Sequence, residues 1–275
     1  MPHSLRSFLS RILASPSRRK RHLRKGIGRS SQFGVAVEFL EDRRLLTTLV
    51  VNDDGGADHT TIQAAIGAAV AGDTILVTGG ADRVHTEVGI NVNKVLTIQG
   101  DAGGAQVIVQ ADPTPGVSSR VVFSVAESIE ATIDNLTIRH GRTGILNDGN
   151  LTVRNSTISQ NRSRLASNSA GIENREILTI LNCSVLDNGG SAPFGGIINI
   201  GTTSLEIRNS VISDNRGAGI SGGLVNLTIE KSRIENNLRG IYVSFSNAEI
   251  SNTIISDNSV EGISVALGTT LILTN

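Results

Sequence analysis

The chain has 275 residues, a formal net charge of zero, one cysteine, no tryptophan and 3% aromatic residues. A single thiol excludes an intramolecular disulfide framework, and the scarcity of aromatics leaves little surface for stacking sugar rings or unpaired bases. The zero charge balances unequal parts: nine of the 25 basic residues fall before residue 30, which leaves 16 bases against 25 acids in the remainder.

Residues 1–46 read as a separate, disordered basic leader. It has no apolar run long enough to span a membrane. Phe8 to Ala14 is interrupted by Arg11 and makes a poor signal-peptide core. Ser17-Arg18-Arg19 has the start of a twin-arginine signal, but no hydrophobic segment follows. Charge alone would suit nucleic acid. Residues 15–32 hold no aromatic side chain to stack on bases, however, so no nucleic-acid partner is expected. Val37-Glu38-Phe39-Leu40-Glu41-Asp42-Arg43-Arg44-Leu45-Leu46 is similar to the LEPR-XLL motif, with Asp42 where that pattern has proline. The motif stands near the start of large repeat proteins of one bacterial phylum. The resemblance implies a targeting or processing segment and an extracellular or cell-surface destination.

Thr48-Leu49-Val50-Val51 reads as a first strand. The loop from Asp53 to Asp58 is acidic and rich in turn residues. Asp53 and Asp54 beside glycines suit a hard cation such as calcium, or belong to a plain surface loop. Thr60 to Val70 is the one convincing helix. Thr60 and Gln63 have capping-box spacing, and Ile62, Ala65, Ile66 and Ala69 share a face. Gly67 weakens it by about 1 kcal/mol against alanine, so tertiary contact must support it. Ala71 to Val77 and Asn93 to Gly100 read as early strands, and Pro113 and Pro115 mark a loop.

From about residue 131 the chain repeats. Asn135, Asn155, Asn182, Asn209, Asn252 and Asn275 share a column, with Lys231 in the odd unit, at intervals of 20, 27, 27, 22, 21 and 23 residues. A period in this range signals a solenoid. Four residues before the asparagine stand Ala131, Leu151, Leu178, Leu205, Leu227, Ala248 and Leu271; two before it stand Ile133, Val153, Ile180, Ile207, Ile229, Ile250 and Leu273. Mostly polar residues alternate with them, so these are short strands with one buried face. Ile138, Ile158, Val185, Ile212, Ile234 and Ile255 form another apolar column three residues after the asparagine. The asparagine therefore sits at a bend, where it tolerates left-handed angles. At a strand spacing of ~4.8 Å such residues bond from turn to turn, so Asn135, Asn155, Asn182, Asn209 and Asn252 are expected to form a structural ladder. A second bend falls at Asn161, Asn188, Asn215, Asn237 and Asn258, and a third strand opens with Gly-Ile, as at Gly144-Ile145 and Gly219-Ile220. Asn147, Asn174 and Asn199 suggest a shorter ladder.

Three strands and three bends per turn describe a parallel β-helix. The phrase resembles the right-handed parallel β-helix repeat family, which includes pectate-lyase-like proteins and many bacterial surface proteins, from Thr47 to Asn275. The expected fold is all-β: a right-handed solenoid of three short strands per turn, regular over about 131–275. The helix at about 60–70 would close its first turn, because an open strand edge invites pairing with other chains. The last unit stops at its bend, Asn275. The expectation is a piece of a longer repeat protein, or end-to-end association through an open last turn.

The resemblance implies what an enzyme of this group would need: acidic residues for calcium plus an arginine base, or several aspartates converging on one face. Asp187, Asp214 and Asp257 are best placed, five residues after the bend asparagines. In neighbouring turns the Asp187 and Asp214 carboxylates would lie about 5 Å apart, which suits a cation or a retaining glycosidase pair. Alternatively Ser-Asp-Asn is simply the consensus bend, and its aspartates are solvated or capping. His140 has Arg139 beside it, but no nucleophile or carboxylate is tied to it by spacing. Cys183 stands where other turns carry Ser156, Ser210, Ser232 and Thr253, and reads as a small packed residue. Extra residues after the second bend place two loops side by side, a frequent binding face in solenoids. Arg162, Arg164 and Phe194 are their candidates for contacting a polysaccharide or another surface protein. The expected function is a non-catalytic structural, adhesin-like or interaction module, since this scaffold hosts many functions. A lyase or hydrolase of acidic polysaccharide and a carbohydrate-binding module are the alternatives. No cofactor is expected, calcium being the one candidate.

Overall fold

The computed structural model describes residues 45–79, 81–112, 120–162, 170–189, 195–200, 204–223, 226–244, 247–266 and 268–275. The leader up to Arg44, the prolines Pro113 and Pro115, and the loop candidates Arg164 and Phe194 lie outside the described residues. Leu45–Asn275 forms one compact unit.

The chain opens with β1 (Thr48–Val51) and α1 (Ile62–Ala68). Strands β2 (Thr74–Val77), β3 (Val84–Thr86) and β4 (Ile90–Val92) make the first full turn. Every later turn repeats that order. Like strands stack into sheets of ten, eight and eight strands, a parallel solenoid of about nine turns. Among the described residues no helix is long and apolar enough to cross a membrane.

The columns read in the sequence are the registers of the sheets. Leu151 pairs with Leu178, Leu178 with Leu205, and Leu205 with Leu227. Leu178 and Leu205 are fully buried and Leu227 is 1% exposed. In the second sheet Ile158, Val185, Ile212 and Ile234 align, and in the third Ile145, Ile172, Ile197, Ile220 and Ile241. Each such side chain gains roughly 1.5–3 kcal/mol by burial, against about 1–2 kcal/mol of backbone ordering per residue. A single turn therefore does not stand alone, and stacking on a neighbour decides stability.

Two of the bends obey one rule: a residue in the left-handed region, then a polar side chain turned inward. At the first bend Asn135, Asn155, Asn182, Asn209, Lys231 and Asn252 have φ of 54, 50, 54, 50, 49 and 47°. Their side chains point outward. Among the described residues this column holds one asparagine-to-asparagine link, Asn182 Nδ2 to Asn155 Oδ1 at 3.3 Å. Other members bond to the preceding turn by different acceptors: Asn135 Nδ2 donates to the Gly100 and Asp101 carbonyls at 3.2 and 2.9 Å, and Asn155 Nδ2 to Asp134 Oδ1 at 2.9 Å. The residue after the asparagine adds a second set of links. Ser156 Oγ accepts from Leu136 N, Ser210 Oγ from Cys183 N and Ser232 Oγ from Ser210 N, at 3.1–3.2 Å.

The second bend carries the continuous ladder. Asn161 N donates to Asn188 Oδ1, Asn188 N to Asn215 Oδ1, Asn215 N to Asn237 Oδ1 and Asn237 N to Asn258 Oδ1, each at 3.0 Å. The side-chain amides reach back to Ile138, Ile158, Val185, Ile212 and Ile234 carbonyls. This ladder explains the Gly-Ile signature. A Cβ on Gly144 would lie 2.7 Å from both Asn161 Nδ2 and Gly171 O, so only glycine fits beside the inward amide. A shorter buried ladder runs along the third sheet, with Asn147 Nδ2 donating to Asn174 Oδ1 at 2.7 Å and Asn174 Nδ2 to Asn199 Oδ1.

The helix packs on β1, β2 and β4 with Ile62, Ala65 and Ile66 buried. It is shorter than its sequence pattern, and its N-cap is Thr61 rather than Thr60. Thr61 Oγ1 accepts from Ala64 N at 3.2 Å, while Gln63 turns away to accept from Asn91 N at 2.7 Å. The first turn fastens both ends. Glu87 accepts from Ile62 N and Gln63 N at 2.8 and 2.9 Å, and Lys94 Nζ donates to Ile66, Gly67 and Ala69 carbonyls at 2.6–2.9 Å. An acid at the N-terminus and a base at the C-terminus both complement the helix dipole.

Candidate functional site

The second bend projects one side chain outward per turn: His140, Gln160, Asp187, Asp214, Asn236 and Asp257, with φ between 54 and 64°. The left-handed backbone selects these types, since Asn and Asp tolerate it best among residues with side chains. Asp187 and Asp214 stand in adjacent turns, fixed by the Leu186–Ser213 register. Asp257 is two turns beyond Asp214, about 10 Å away, with Asn236 between them. The three aspartates therefore do not converge.

Asp187 is already engaged. Its carboxylate forms an ion pair with Arg162, and Arg162 Nε donates to its carbonyl at 2.9 Å. Asp214 is left exposed, with no second free carboxylate in the next turn. His140 is half-buried, and its Nε2 meets Gln160 Oε1 at 3.0 Å. Burial, reinforced by the charges of Arg139 and Arg162, pushes the His140 pKa down against the Gln160 bond.

Of the loop candidates for a cation, Asp54 is engaged by the backbone and Asp53 stands near a histidine. Asp54 Oδ2 accepts from Ala81 N at 2.7 Å, and Asp53 Oδ1 lies 3.7 Å from the buried His85 Nε2. Among the described residues no group of three or more His, Cys, Asp or Glu side chains converges as a metal site. Calcium asks for six to eight oxygens, and these donors do not fit it. Cys183 is buried, and burial raises its thiol pKa to about 11.

Of the three loop candidates, Arg162 is the one the structure places. It stands one residue past an inward asparagine, and Arg142 and Arg216 occupy the equivalent place in other turns. That row escaped the sequence pattern because Gly189 and Leu238 interrupt it. Its signal was a fixed offset from the second-bend asparagine.

A family model described as the right handed beta helix region matches residues 96–223 and 196–275. Among solved structures the chain is similar to pectate lyase Pel9A, at 16% identity and a TM-score of 0.52, covering 84% of this chain and 78% of that chain. It is also similar to the pectin methylesterase from carrot, at 15% identity and a TM-score of 0.52, covering 86% of this chain and 84% of that one. At such identity the likeness is one of fold. No curated protein sequence matches the chain.

Proposed function

This chain belongs to the right-handed β-helix family, and from that premise we propose that it is a non-catalytic repeat protein of the cell surface, serving as an interaction module. One observation carries the proposal: the repeat's aspartates stand at left-handed bends without converging, and the Asp187 carboxylate is held by Arg162. A retaining glycosidase keeps two carboxyl groups about 5–5.5 Å apart and free to act on the sugar. Here the best-placed pair has one member committed. The likeness of its leader to the LEPR-XLL motif supports export, with residues 1–46 as the targeting segment. Its partner is a polysaccharide or another surface protein, and no cofactor takes part.

The alternative is a lyase, esterase or hydrolase of acidic polysaccharide, the classes suggested by the fold neighbours. Incubation of the full chain with polygalacturonate and with methyl-esterified pectin separates the two. The expected result is no unsaturated product, no reducing ends and no methanol above the buffer rate, with or without calcium. Turnover that disappears in Asp214→Asn would overturn the proposal. Export is tested by fractionating host cells, with the protein expected outside the cytoplasm.

A further inference from the structure

At the corner between the second and third sheets, one column reads Arg120, Arg142, Arg162, Gly189 and Arg216 over five consecutive turns. The Thr143–Val121 pairing sets Arg142 opposite Arg120, and backbone bonds align the rest: Arg162 N to Gly141 O at 2.8 Å, Gly189 N to Asn161 O at 2.9 Å, and Arg216 N to Asn188 O at 3.0 Å. At ~4.8 Å per turn the row spans about 19 Å along the axis. The unit around it is acidic, with 22 Asp and Glu against 14 Lys and Arg from Leu45 onward.

Within the row, Arg162 is the member with an ion pair, to Asp187; Arg120, Arg142 and Arg216 form none among the described residues. Because Arg162 Nε reaches Asp187 O, its guanidinium leans one turn along the axis. It lies toward the place that Gly189 leaves without a side chain, and so toward Arg216. Burial, and then the charge of Arg216, push the Arg162 pKa down. Like charges stacked on neighbouring strands destabilise a sheet. In the neighbouring outward column Asp187 and Asp214 are the acids alongside the row, with Asp257 two turns beyond Asp214 and His140 at the other end. They leave most of the row uncompensated, which points to an anion from outside.

We propose that this row binds a sulfated polysaccharide lying along the solenoid axis. This rests on the non-catalytic interaction role above. A guanidinium fork takes oxyanions bidentately. A sulfate ester keeps three free oxygens, enough for forks from two adjacent turns, whereas the two oxygens of a carboxylate satisfy one. Beside the row, Gln160, Asp214 and Asn236 are exposed and hydrogen-bonding. They suit sugar hydroxyls, donors that a DNA backbone lacks. A duplex carries one charge per about 1.7 Å of axis and would meet the surrounding acids. Single strands call for aromatic stacking, and no aromatic stands in this row.

The test is titration of heparin into the full chain and into the Arg142→Gln/Arg216→Gln double variant, with thermal melting to verify that both fold. The basic leader is common to both proteins, so the difference reports the row. Binding is expected to weaken about a hundredfold, roughly tenfold for each charge-assisted contact. Arg175→Gln, at a different bend and paired with Glu173, is expected to bind like the wild type. Equal affinity of the wild type and the double variant overturns the inference, as does binding of polygalacturonate or duplex DNA as tight as that of heparin. Heparin bound through the row and also cleaved would support the inference and sink the non-catalytic proposal instead.

Discussion

Replacing Asn188 by alanine probes the second-bend ladder at its centre. The side chain is fully buried. Its Oδ1 accepts from Asn161 N and Asn161 Nδ2 at 3.0 Å, and its Nδ2 donates to Ile158 O at 2.8 Å and Asn215 Oδ1 at 3.2 Å. Asn161 Nδ2 keeps the Ile138 carbonyl, and Asn215 Oδ1 keeps Asn188 N. The Asn161 N–H loses its acceptor, and the Ile158 carbonyl loses this donor. At about 1–3 kcal/mol for each of these two buried groups deprived of a partner, the loss should be about 2–6 kcal/mol. Asn182→Ala is the comparison. Its side chain is exposed and has one long bond, to Asn155, so what remains is mainly the left-handed backbone, worth about 1 kcal/mol. Urea unfolding of both variants gives the difference. Because long arrays unfold non-cooperatively, exchange of the Asn161 amide proton should be measured beside it, and should lose protection in Asn188→Ala alone. Should the two variants fall within 1 kcal/mol of each other, the ladder carries none of the stability assigned to it.

Three further outcomes are expected. The Asp73 carboxylate is held below its ordinary value, first by the backbone N–H of Thr47 and then by that of Val70. Its contribution is complete above the unfolded value near 3.8 and is lost as pH falls through the lower folded value. The melting-temperature gap between wild type and Asp73→Asn should therefore narrow below about pH 4, and a gap independent of pH refutes this. Cys183, with its thiol pushed up to about 11, should resist thiol reagents at pH 8 until the chain unfolds, as seen by mass spectrometry of native and denatured samples. Gly67→Ala should stabilise the chain by about 1 kcal/mol, since a Cβ there meets nothing within 4 Å; thermal melting decides it.

The fold was legible because burial repeats with the turn. Leu178, Leu205 and Leu227 announce a register that the first sheet obeys. The bonding within the bends was harder to read, because asparagine answers two different demands. At Asn182 it is chosen for a left-handed backbone and faces solvent. At Asn188 it is chosen for its amide and faces inward, while Asp187 before it takes the left-handed turn. One letter hides both roles, and only the residue beside it tells them apart. The helix cap went astray for a similar reason: Thr60 and Thr61 are equally good caps on paper, and Glu87, 25 residues away from Ile62, takes up the Ile62 and Gln63 N–H groups in place of a reciprocal side chain at the third helical position. For the candidate site, the aspartate spacing was visible, but the arginine that occupies Asp187 is 25 residues earlier in the chain. No local pattern joins them.

The inward asparagines also give the molecule a sense of time. In each link the earlier turn supplies the N–H and the later turn supplies the oxygen that receives it. A newly laid coil is thus left with a thirsty amide that only its successor quenches. Growth from the helix-covered end leaves one such debt at the moving front, whatever the length already wound, and a chain leaving the ribosome meets its coils in that same sequence.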